Sequence, residues 1–375
     1  MQMKKYIENG KISNRQTLRL FVFDLMGIAT LLIPPYLSKL CGVDGIFAVF
    51  AGMLLGVIYL LYLGQIMRHM EMDIISYLNQ RTRPLIRSTA FIFVLIHCLL
   101  TAGFCGYVFA HLMQYSLVPK SSFQLVLSVI LIVAAYAVSG GIESRARVYE
   151  VLFWFVLIPY AGMMLASVKN FEWDYIAVNR MFETNGIEFG KGVYLVFLFF
   201  TPLFFSLFLV GKKEENRKRS YGKQSVKTIL VSILIAGGIL LGSYVLLLGN
   251  FGRESLADMR YPVVTLMSTI QFQGNFLKRM DSLMLAVWFF TLYALLNLHL
   301  HYGTAMMREI FSKGKKKSWQ VVVTALLVFG AGYSMYLNEG WKWTFVGYYS
   351  YAAVPVLLIG PALVLAGKKK IKKSK

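Results

Sequence analysis

The sequence predicts an all-α integral membrane protein with ten transmembrane helices, arranged as a 5+5 inverted repeat. Hydrophobic residues make up 57% of the chain, and its mean hydropathy is +0.59. Apolar runs of about 20 residues, the length that crosses a bilayer as a helix, recur from one end of the chain to the other. A soluble protein of this composition would have too little polar surface to cover itself, and barrel strands would be shorter and alternate in polarity.

The predicted spans follow one another at short intervals and form one transmembrane domain over residues 1–375. They are Thr17–Tyr36, Val43–Ile66, Ser88–Tyr115, Phe123–Ser139, Val148–Val168, Gly190–Val210, Val226–Gly249, Ser282–Met306, Ser318–Leu337 and Phe345–Ala366. Repeat one covers about 17–168 and repeat two about 190–366, because an odd number of spans per repeat makes the second repeat enter the membrane in the opposite sense. Residues 1–16 and 367–375 are predicted to be cytoplasmic tails.

The charge distribution supports this topology. Of the 39 Lys and Arg residues, 29 lie in the two termini, in the segments after spans two, four, six and eight, or, as Arg19 and Lys227, at the adjoining ends of spans one and seven. The positive-inside rule therefore places both termini in the cytoplasm and favours an even number of spans. The net charge of +21 is explained in this way, and no nucleic-acid partner is predicted. The basic clusters could also attract anionic membrane lipid, with plain topology signals as the alternative.

The first span, TLRLFVFDLMGIATLLIPPY, contains residues that a simple membrane anchor does not need. Asp24 is an acid inside an apolar run, which is costly in a bilayer. A glycine, Gly27, precedes the pair Pro34-Pro35, and such residues let a helix open its backbone where other helices enclose it. The span is therefore predicted to be discontinuous and to form half of a binding site at the membrane midplane.

The sixth span, GVYLVFLFFTPLFFSLFLV, contains Thr201-Pro202 at a corresponding depth. Paired interruptions in the first helix of each repeat indicate the substrate site of a transporter. The alternative is that these residues only kink their helices. The predicted ligand-binding residues on the two spans are Gly27, Ile28, Ala29, Thr30, Phe200, Thr201 and Pro202.

Other polar residues within the spans are candidates for the same site. Asn297 in span eight is expected to face inward, because an amide in lipid would be unsatisfied. Asp24 and His97 fall at about the same depth, and one hypothesis pairs them to neutralise a charge or relay a proton. In the alternative, Asp24 is solvated near the inner interface or pairs with Arg19. The stretch Val263–Phe276 is too short to cross and is predicted to be an interfacial or lid segment.

Signatures of catalysis are missing from the sequence. There is no nucleotide loop, nucleophile motif or metal-binding cluster. The three cysteines, Cys41, Cys98 and Cys105, have neither metal-ligand nor redox spacing. The chain is therefore predicted not to be an enzyme and to need no cofactor or metal.

Four segments resemble the permease-like B subunit of spore nutrient-germinant receptors. They are KISNRQ before span one, Gly42-x-Asp44-Gly45 after it, GIESRARVYEVLFW before and into span five, and YPVVTLMSTIQFQGNFLKRMDSLMLAVWFF before and into span eight. The last segment is the most specific, and the resemblance covers essentially the whole chain. Asp24 is not among the residues that carry it.

The resemblance implies a ten-helix fold of the amino acid–polyamine–organocation superfamily with broken first and sixth helices. It also implies a receptor for a small germinant, often an amino acid, in the inner membrane of a bacterial endospore. The expected partners are a membrane A subunit, a lipoprotein C subunit and the surrounding membrane lipid. The alternatives are a secondary transporter of amino acids or related solutes and a scaffold subunit with a vestigial pocket.

Overall fold

The computed structural model describes residues 11–70, 72–177, 181–211, 221–269 and 280–366. Within these ranges the chain is helical and surrounds a single apolar core, so the all-α class is confirmed. The α-helices are α1 (Asn14–Cys41), α2 (Gly45–His69), α3 (Ile74–Arg81), α4 (Pro84–Ser116), α5 (Phe123–Ser139), α6 (Gly141–Ser167), α7 (Gly186–Leu198), α8 (Tyr221–Asp258), α9 (Pro262–Thr269), α10 (Met280–Ser312), α11 (Ser318–Leu337), α12 (Glu339–Gly347) and α13 (Val354–Ala366).

Eight helical stretches in the described residues are long and apolar enough to cross a membrane. The first, Asn14–His69, contains both α1 and α2, and α5 with 17 residues is slightly shorter than a typical span. The chain is thus a multi-pass helical membrane protein. The exact number of ten spans and the inverted repeat stay predictions.

Helix α1 lies at the centre of the bundle, where it contacts α6, α7, α8 and α10. Its start is fixed by a capping box: the Ser13 hydroxyl accepts from the Gln16 N–H at 3.2 Å, and the Gln16 side chain accepts from the Ser13 N–H at 2.9 Å. It ends before Gly42, whose φ of 51° suits glycine. Most of its residues are buried, so little of α1 is available to lipid.

The predicted break in the first span is wrong, because α1 is continuous over its 28 residues. Gly27 allows close packing instead of an opening: a Cβ there would lie 2.5 Å from the Thr291 carbonyl oxygen of α10. The Thr30 hydroxyl donates to the Met26 carbonyl at 3.3 Å, as in a regular helix. Pro34 and Pro35 are both buried within the helix, where the surrounding helices support the backbone despite two missing donors.

The predicted break in the sixth span is confirmed. Helix α7 ends at Leu198, and the N–H groups of Phe199 and Phe200 bond to carbonyls three residues back, at 3.2 and 2.9 Å. A 3-10 helix of nine residues, Thr201–Leu209, follows with Pro202 in its first turn. Runs of 3-10 helix longer than three or four residues are uncommon. All nine residues are buried, so packing maintains this conformation.

The last predicted span is also interrupted, which the sequence did not indicate. A π-helix, Tyr348–Ala353, separates α12 from α13. The Tyr194 hydroxyl of α7 donates to the Ser350 carbonyl, so this π-helix is bonded to the helix that breaks. Such π segments occur frequently at functional sites.

Candidate ligand-binding site

A cavity of about 480 Å³ lies beside the break, between α1, α4, α10 and the segment that contains α12 and the π-helix. This volume is typical of small-molecule sites. Helix α1 contributes one face, which consists of Asp24, Leu25, Ile28, Leu32, Pro35, Tyr36 and Lys39. From Asp24 to Lys39 this face extends about 22 Å at 1.5 Å per residue, so the cavity is elongated along α1.

The break in the sixth span forms another part of the cavity wall. Leu195 and Leu198 of α7 line the cavity together with Phe199 and Pro202, which places the carbonyl end of α7 beside it. That end has a partial negative charge from the helix dipole.

A pair of hydroxyls connects the break to the π-helix. The Thr201 hydroxyl donates to the Leu198 carbonyl at 2.6 Å and lies 2.6 Å from the Tyr349 hydroxyl. Because the single proton of Thr201 is used by Leu198, Tyr349 donates to Thr201.

The inner end of the cavity holds a buried ion pair. Arg145 of α6 donates through Nη2 to the carboxylate of Asp24 and to the Ala294 carbonyl, the latter at 3.2 Å. Its guanidinium carbon also lies 5.1 Å from the centre of the Tyr149 ring. Asp24 lines the cavity and Arg145 does not, so a ligand would meet the carboxylate first. The opposite charges of Asp24 and Arg145 cancel, so the buried pair adds no net charge to the bundle.

Two histidines lie between the ion pair and the break. The His299 ring lines the cavity, and its Nδ1 lies 2.9 Å from the Leu295 carbonyl. That contact requires a proton on Nδ1, which leaves Nε2 as an acceptor without a partner in the described residues. The His97 ring packs 5.7 Å from His299 and 5.6 Å from Tyr349 and does not line the cavity.

Aromatic rings cover the remaining wall. Phe104 of α4 stacks on Phe345 of α12 with ring centres 4.7 Å apart, and Phe345 lies 5.6 Å from Tyr349. Together with Phe199 and Ile28 they give the cavity a mainly apolar lining. The site is therefore suited to a ligand with an apolar body and one polar end.

The outer end of the cavity is basic. Lys39 and Tyr36 are exposed there, and Arg260 and Tyr261, which directly precede α9, also line the cavity. The Tyr261 hydroxyl lies 3.2 Å from His111 Nδ1, and burial raises the pKa of Tyr261, so its hydroxyl stays protonated. Helix α9 covers the first part of the predicted lid segment, and residues 270–276 lie outside the described residues.

Of the predicted ligand-binding residues, Ile28 and Pro202 line the cavity. Thr201 does not line the cavity, but its hydroxyl bonds to that of Tyr349, which does. Phe200 is buried against α2, where a Cβ at Gly56 would lie 2.8 Å from the Phe200 ring. Ala29 is buried and outside the lining.

The other three predicted residues pack helices together. Gly27 contacts the α10 backbone, as described above. The Thr30 hydroxyl accepts from the Trp288 indole at 3.2 Å, and the Asn297 amide donates to the Ala134 carbonyl of α5 at 3.3 Å. None of the three lines the cavity, because each residue packs against or bonds to a neighbouring helix.

The hypothesis of an Asp24–His97 pair is wrong in this structure, and so is its alternative. Asp24 pairs with Arg145, while His97 has aromatic neighbours and its Nδ1 has no partner in the described residues. Arg19 pairs instead with Glu150 of α6, at 3.3 Å.

Arg145 is the main residue of the site that the sequence analysis missed. The predicted fifth span starts at Val148, which left Arg145 in a loop, whereas α6 starts at Gly141. The signal was present: an acid inside a span needs a cation at a similar depth. Of the charges in GIESRARVYEVLFW, Glu143 and Arg147 pair with each other, and Arg145 pairs with Asp24.

The fold is that of secondary transporters. A sodium-coupled sialic acid symporter in a substrate-bound, outward-open state aligns with 93% of this chain and 79% of its own, with a TM-score of 0.65 and 11% identity. A nucleobase–cation symport-1 family transporter, closed with bromovinylhydantoin bound, aligns with 95% of this chain and 75% of its own, with a TM-score of 0.64 and 11% identity. The class is therefore a transporter-fold membrane protein with a central cavity.

The family follows from the sequence comparison. The spore germination protein family matches residues 11–339, and the chain belongs to this family of spore germination permeases. Spore germination protein B2 of Bacillus subtilis (strain 168) is 22% identical over 90% of this chain and 91% of its own length. Spore germination protein YndE of the same strain is 21% identical over 67% and 68%. The resemblance found in the sequence is thus confirmed at the level of the family.

Proposed function

We propose that the chain is the permease-like subunit of a spore nutrient-germinant receptor, and that its cavity binds a small germinant with a protonated amine. The observation that carries this proposal is a ligand-sized cavity at the break of a transporter fold, in a chain of the spore germination family. The receptor would lie in the inner membrane of the endospore with both termini in the cytoplasm. Its partners would be the A and C subunits.

Two negative groups on the cavity wall support an amine as the polar group. They are the Asp24 carboxylate and the carbonyl end of α7, whose helix dipole gives it a partial negative charge. A protonated amine is attracted by both. The His299 ring also lines the cavity, but its Nε2 atom is buried. The aromatic wall would pack against the apolar part of the germinant, so an apolar amino acid or a related amine fits the lining.

The carboxylate of an amino acid would not bind to α1 as first expected. A continuous helix has no free N–H groups in its middle, and the half-helix needed for that role is absent from α1. The cationic groups on the lining are Lys39 and Arg260 at the outer end. Their charges would attract anionic and zwitterionic solutes towards the opening.

Signalling would pass through the elements that share the cavity. A germinant there would touch α1, the break and the π-helix at once. The Thr201–Tyr349 bond connects the last two, so a change in one is transmitted to the other. A shift of these segments would then alter the surface that the partner subunits contact.

Binding can be tested on the purified protein with three matched probes: an apolar amino acid, the amine obtained by removing its carboxylate, and the acid obtained by removing its amine. We expect the first two to bind in calorimetry and the third not to bind. Leu32→Trp should fill the cavity and abolish binding, whereas Leu61→Trp, on an exposed surface of α2, should leave it unchanged. Equal binding of the acid, or binding that survives Leu32→Trp, would refute the amine site.

A secondary transporter of amino acids or related solutes is the second candidate, favoured by the symporter-like fold. Uptake of radiolabelled amino acids into proteoliposomes distinguishes a transporter from a receptor. Accumulation above the level of protein-free vesicles identifies a transporter. Binding without accumulation identifies a receptor, and the absence of both leaves a scaffold subunit.

A further inference from the structure

A second cavity, of about 600 Å³, lies between α3, the first half of α4 and α13. It borders residues 85–94 of α4, whereas the ligand cavity borders residues 101–108 of the same helix. Leu78, Phe91, Met306 and Leu357 are among its lining residues, and the Thr89 hydroxyl is the one polar side-chain group on this lining within the described residues. We call this cavity the α3–α4–α13 groove.

The groove has a basic edge. Arg81 is the last residue of α3, Arg83 lies between α3 and α4, and Arg87 follows one helical turn later. No carboxylate in the described part of the chain lies within 4 Å of these three guanidinium groups. The nearby Glu309 accepts instead from the Asn79 amide at 2.8 Å. The Arg87 guanidinium donates to the Asn79 carbonyl at 3.5 Å. Three arginines with no acidic partner among the described residues therefore lie close in sequence to lining residues Leu78, Leu85 and Ile86 of the groove.

The same part of α4 exposes apolar side chains. Leu85, which lines the groove, is 79% exposed, and Ile92 and Ile96 further along the helix are about half exposed. In a membrane protein such side chains contact lipid tails. The groove thus adjoins exposed apolar side chains of α4, and the three arginines lie at the N-terminal end of that helix and just before it.

We propose that the α3–α4–α13 groove is a binding site for one anionic phospholipid. An acyl chain fills the groove along about 13 Å of α4, from Leu85 to Val94. The phosphate contacts Arg83 and Arg87, since guanidinium groups bind phosphate through paired hydrogen bonds. Basic pockets between transmembrane helices bind lipid head groups by this chemistry.

The bound lipid would also support the break in the sixth span. Phe204 and Phe208 line the groove, and Pro202 of the same 3-10 helix lines the ligand cavity. An acyl chain against the two phenylalanines would fill space beside a helical conformation that packing maintains. The lipid is therefore inferred to act as a structural component next to the ligand cavity.

The test is native mass spectrometry of the full-length protein, purified in detergent and titrated with phosphatidylglycerol or phosphatidylcholine of the same acyl chains. We expect phosphatidylglycerol to be retained more strongly. Arg83→Gln/Arg87→Gln should weaken its retention about 30-fold, at about 1 kcal/mol for each arginine. Lys120→Gln, an exposed cation at the other end of α4, should not change it.

A second pair of variants tests whether an acyl chain occupies the α3–α4–α13 groove. Gly360→Phe places a ring in the groove, where the nearest atom to an added Cβ is 3.7 Å away, and should reduce retention. Gly162→Phe, whose Cβ would meet nothing within 4 Å, is the matched control.

Photo-crosslinking needs no variant. Phosphatidylglycerol with a diazirine in its acyl chain should label residues 85–94 of the wild-type protein in membranes. Equal retention of the two lipids, retention unaffected by the arginine variants, or labelling of these residues that disappears when partner subunits are present would each overturn the proposal. The last result would assign the groove to a protein partner.

Discussion

Asp24 and Arg145 have side chains that are each only 3% exposed, and they bring opposite charges into the helix bundle. Removing one of them leaves the other buried without a counter-charge, which costs about 3–5 kcal/mol. We expect Asp24→Asn and Arg145→Gln each to lower the free energy of unfolding by about that amount. The double variant should lose less than the sum of the two. Chemical unfolding in detergent micelles, followed by circular dichroism, measures the free energy of unfolding of the two single variants and the double variant.

The control for these substitutions is Arg15→Gln. The Arg15 side chain is 68% exposed, and its partner Glu150 keeps a second cation, Arg19. An exposed pair of this kind contributes about 0.2–1 kcal/mol. Strict additivity of the two buried substitutions would show that Asp24 and Arg145 do not interact.

Gly27 is expected to matter for packing. In Gly27→Ala the new methyl group would lie 2.5 Å from the Thr291 carbonyl oxygen, which belongs to the backbone and cannot rotate away. Overpacking of this kind costs about 1–3 kcal/mol. Gly238→Ala is the control, because its Cβ meets nothing within 4 Å. We expect Gly27→Ala to lower the melting temperature and Gly238→Ala to leave it at the wild-type value. Equal melting temperatures of the two variants would contradict this prediction.

At the scale of single residues, the sequence identified Asp24 as important and assigned it the wrong partner. An acid in an apolar run is visible in the sequence because its cost in lipid does not depend on the fold. Its partner is 121 residues away, and only the packing of α6 on α1 brings the two together. The misassigned partner therefore reflects missing tertiary information.

At the scale of elements, the Thr201–Tyr349 bond is expected to stabilise the break in the sixth span. Thr201→Val removes the acceptor and leaves the buried Tyr349 hydroxyl unsatisfied, which costs about 1–3 kcal/mol. Tyr349→Phe should cost less, because the Thr201 hydroxyl keeps its bond to Leu198. We expect the double variant to be more stable than Thr201→Val alone, because it leaves no tyrosine hydroxyl unsatisfied. Thermal unfolding of the three variants measures this.

The matched controls are exposed residues of the same types. Thr344→Val loses only a local bond to the Gly340 carbonyl, and Tyr115→Phe changes a hydroxyl on a side chain that is 58% exposed. Both should unfold like the wild type. If Thr201→Val did so as well, the hydroxyl pair would not stabilise the break.

Similar proline-containing segments in the first and sixth spans have different backbone structures. Pro34-Pro35 and Thr201-Pro202 both interrupt apolar runs, yet α1 continues through its prolines and the sixth span changes to a 3-10 helix. Pro202 lies in the first turn of that 3-10 helix, where the missing donor costs little. In α1 the enclosing helices determine the outcome. Proline therefore marks places where a break can form, and the neighbours decide whether it does.

At the scale of the molecule, hydrophobic run length predicted the helices well. The predicted spans Phe123–Ser139 and Ser318–Leu337 coincide with α5 and α11, because a long apolar run in a membrane protein has few alternatives to a helix. The π-helix and the cavity were not predictable in this way. Both depend on how α7, α10 and α12 pack, and a single sequence does not encode that in its periodicity.

The orientation of the whole molecule is the last prediction. An asymmetry of 29 Lys and Arg on one side against 10 on the other predicts that both termini lie in the cytoplasm. Cys41, Cys98 and Cys105 are buried, so an impermeant maleimide should not react with the wild type. Trp173→Cys, at a side chain 78% exposed after α6, should react in intact cells. Ser374→Cys in the C-terminal tail should react only after the cells are permeabilised. Labelling of the tail in intact cells would show an odd number of crossings or an inverted orientation, and the inverted-repeat assignment would have to be abandoned in the first case.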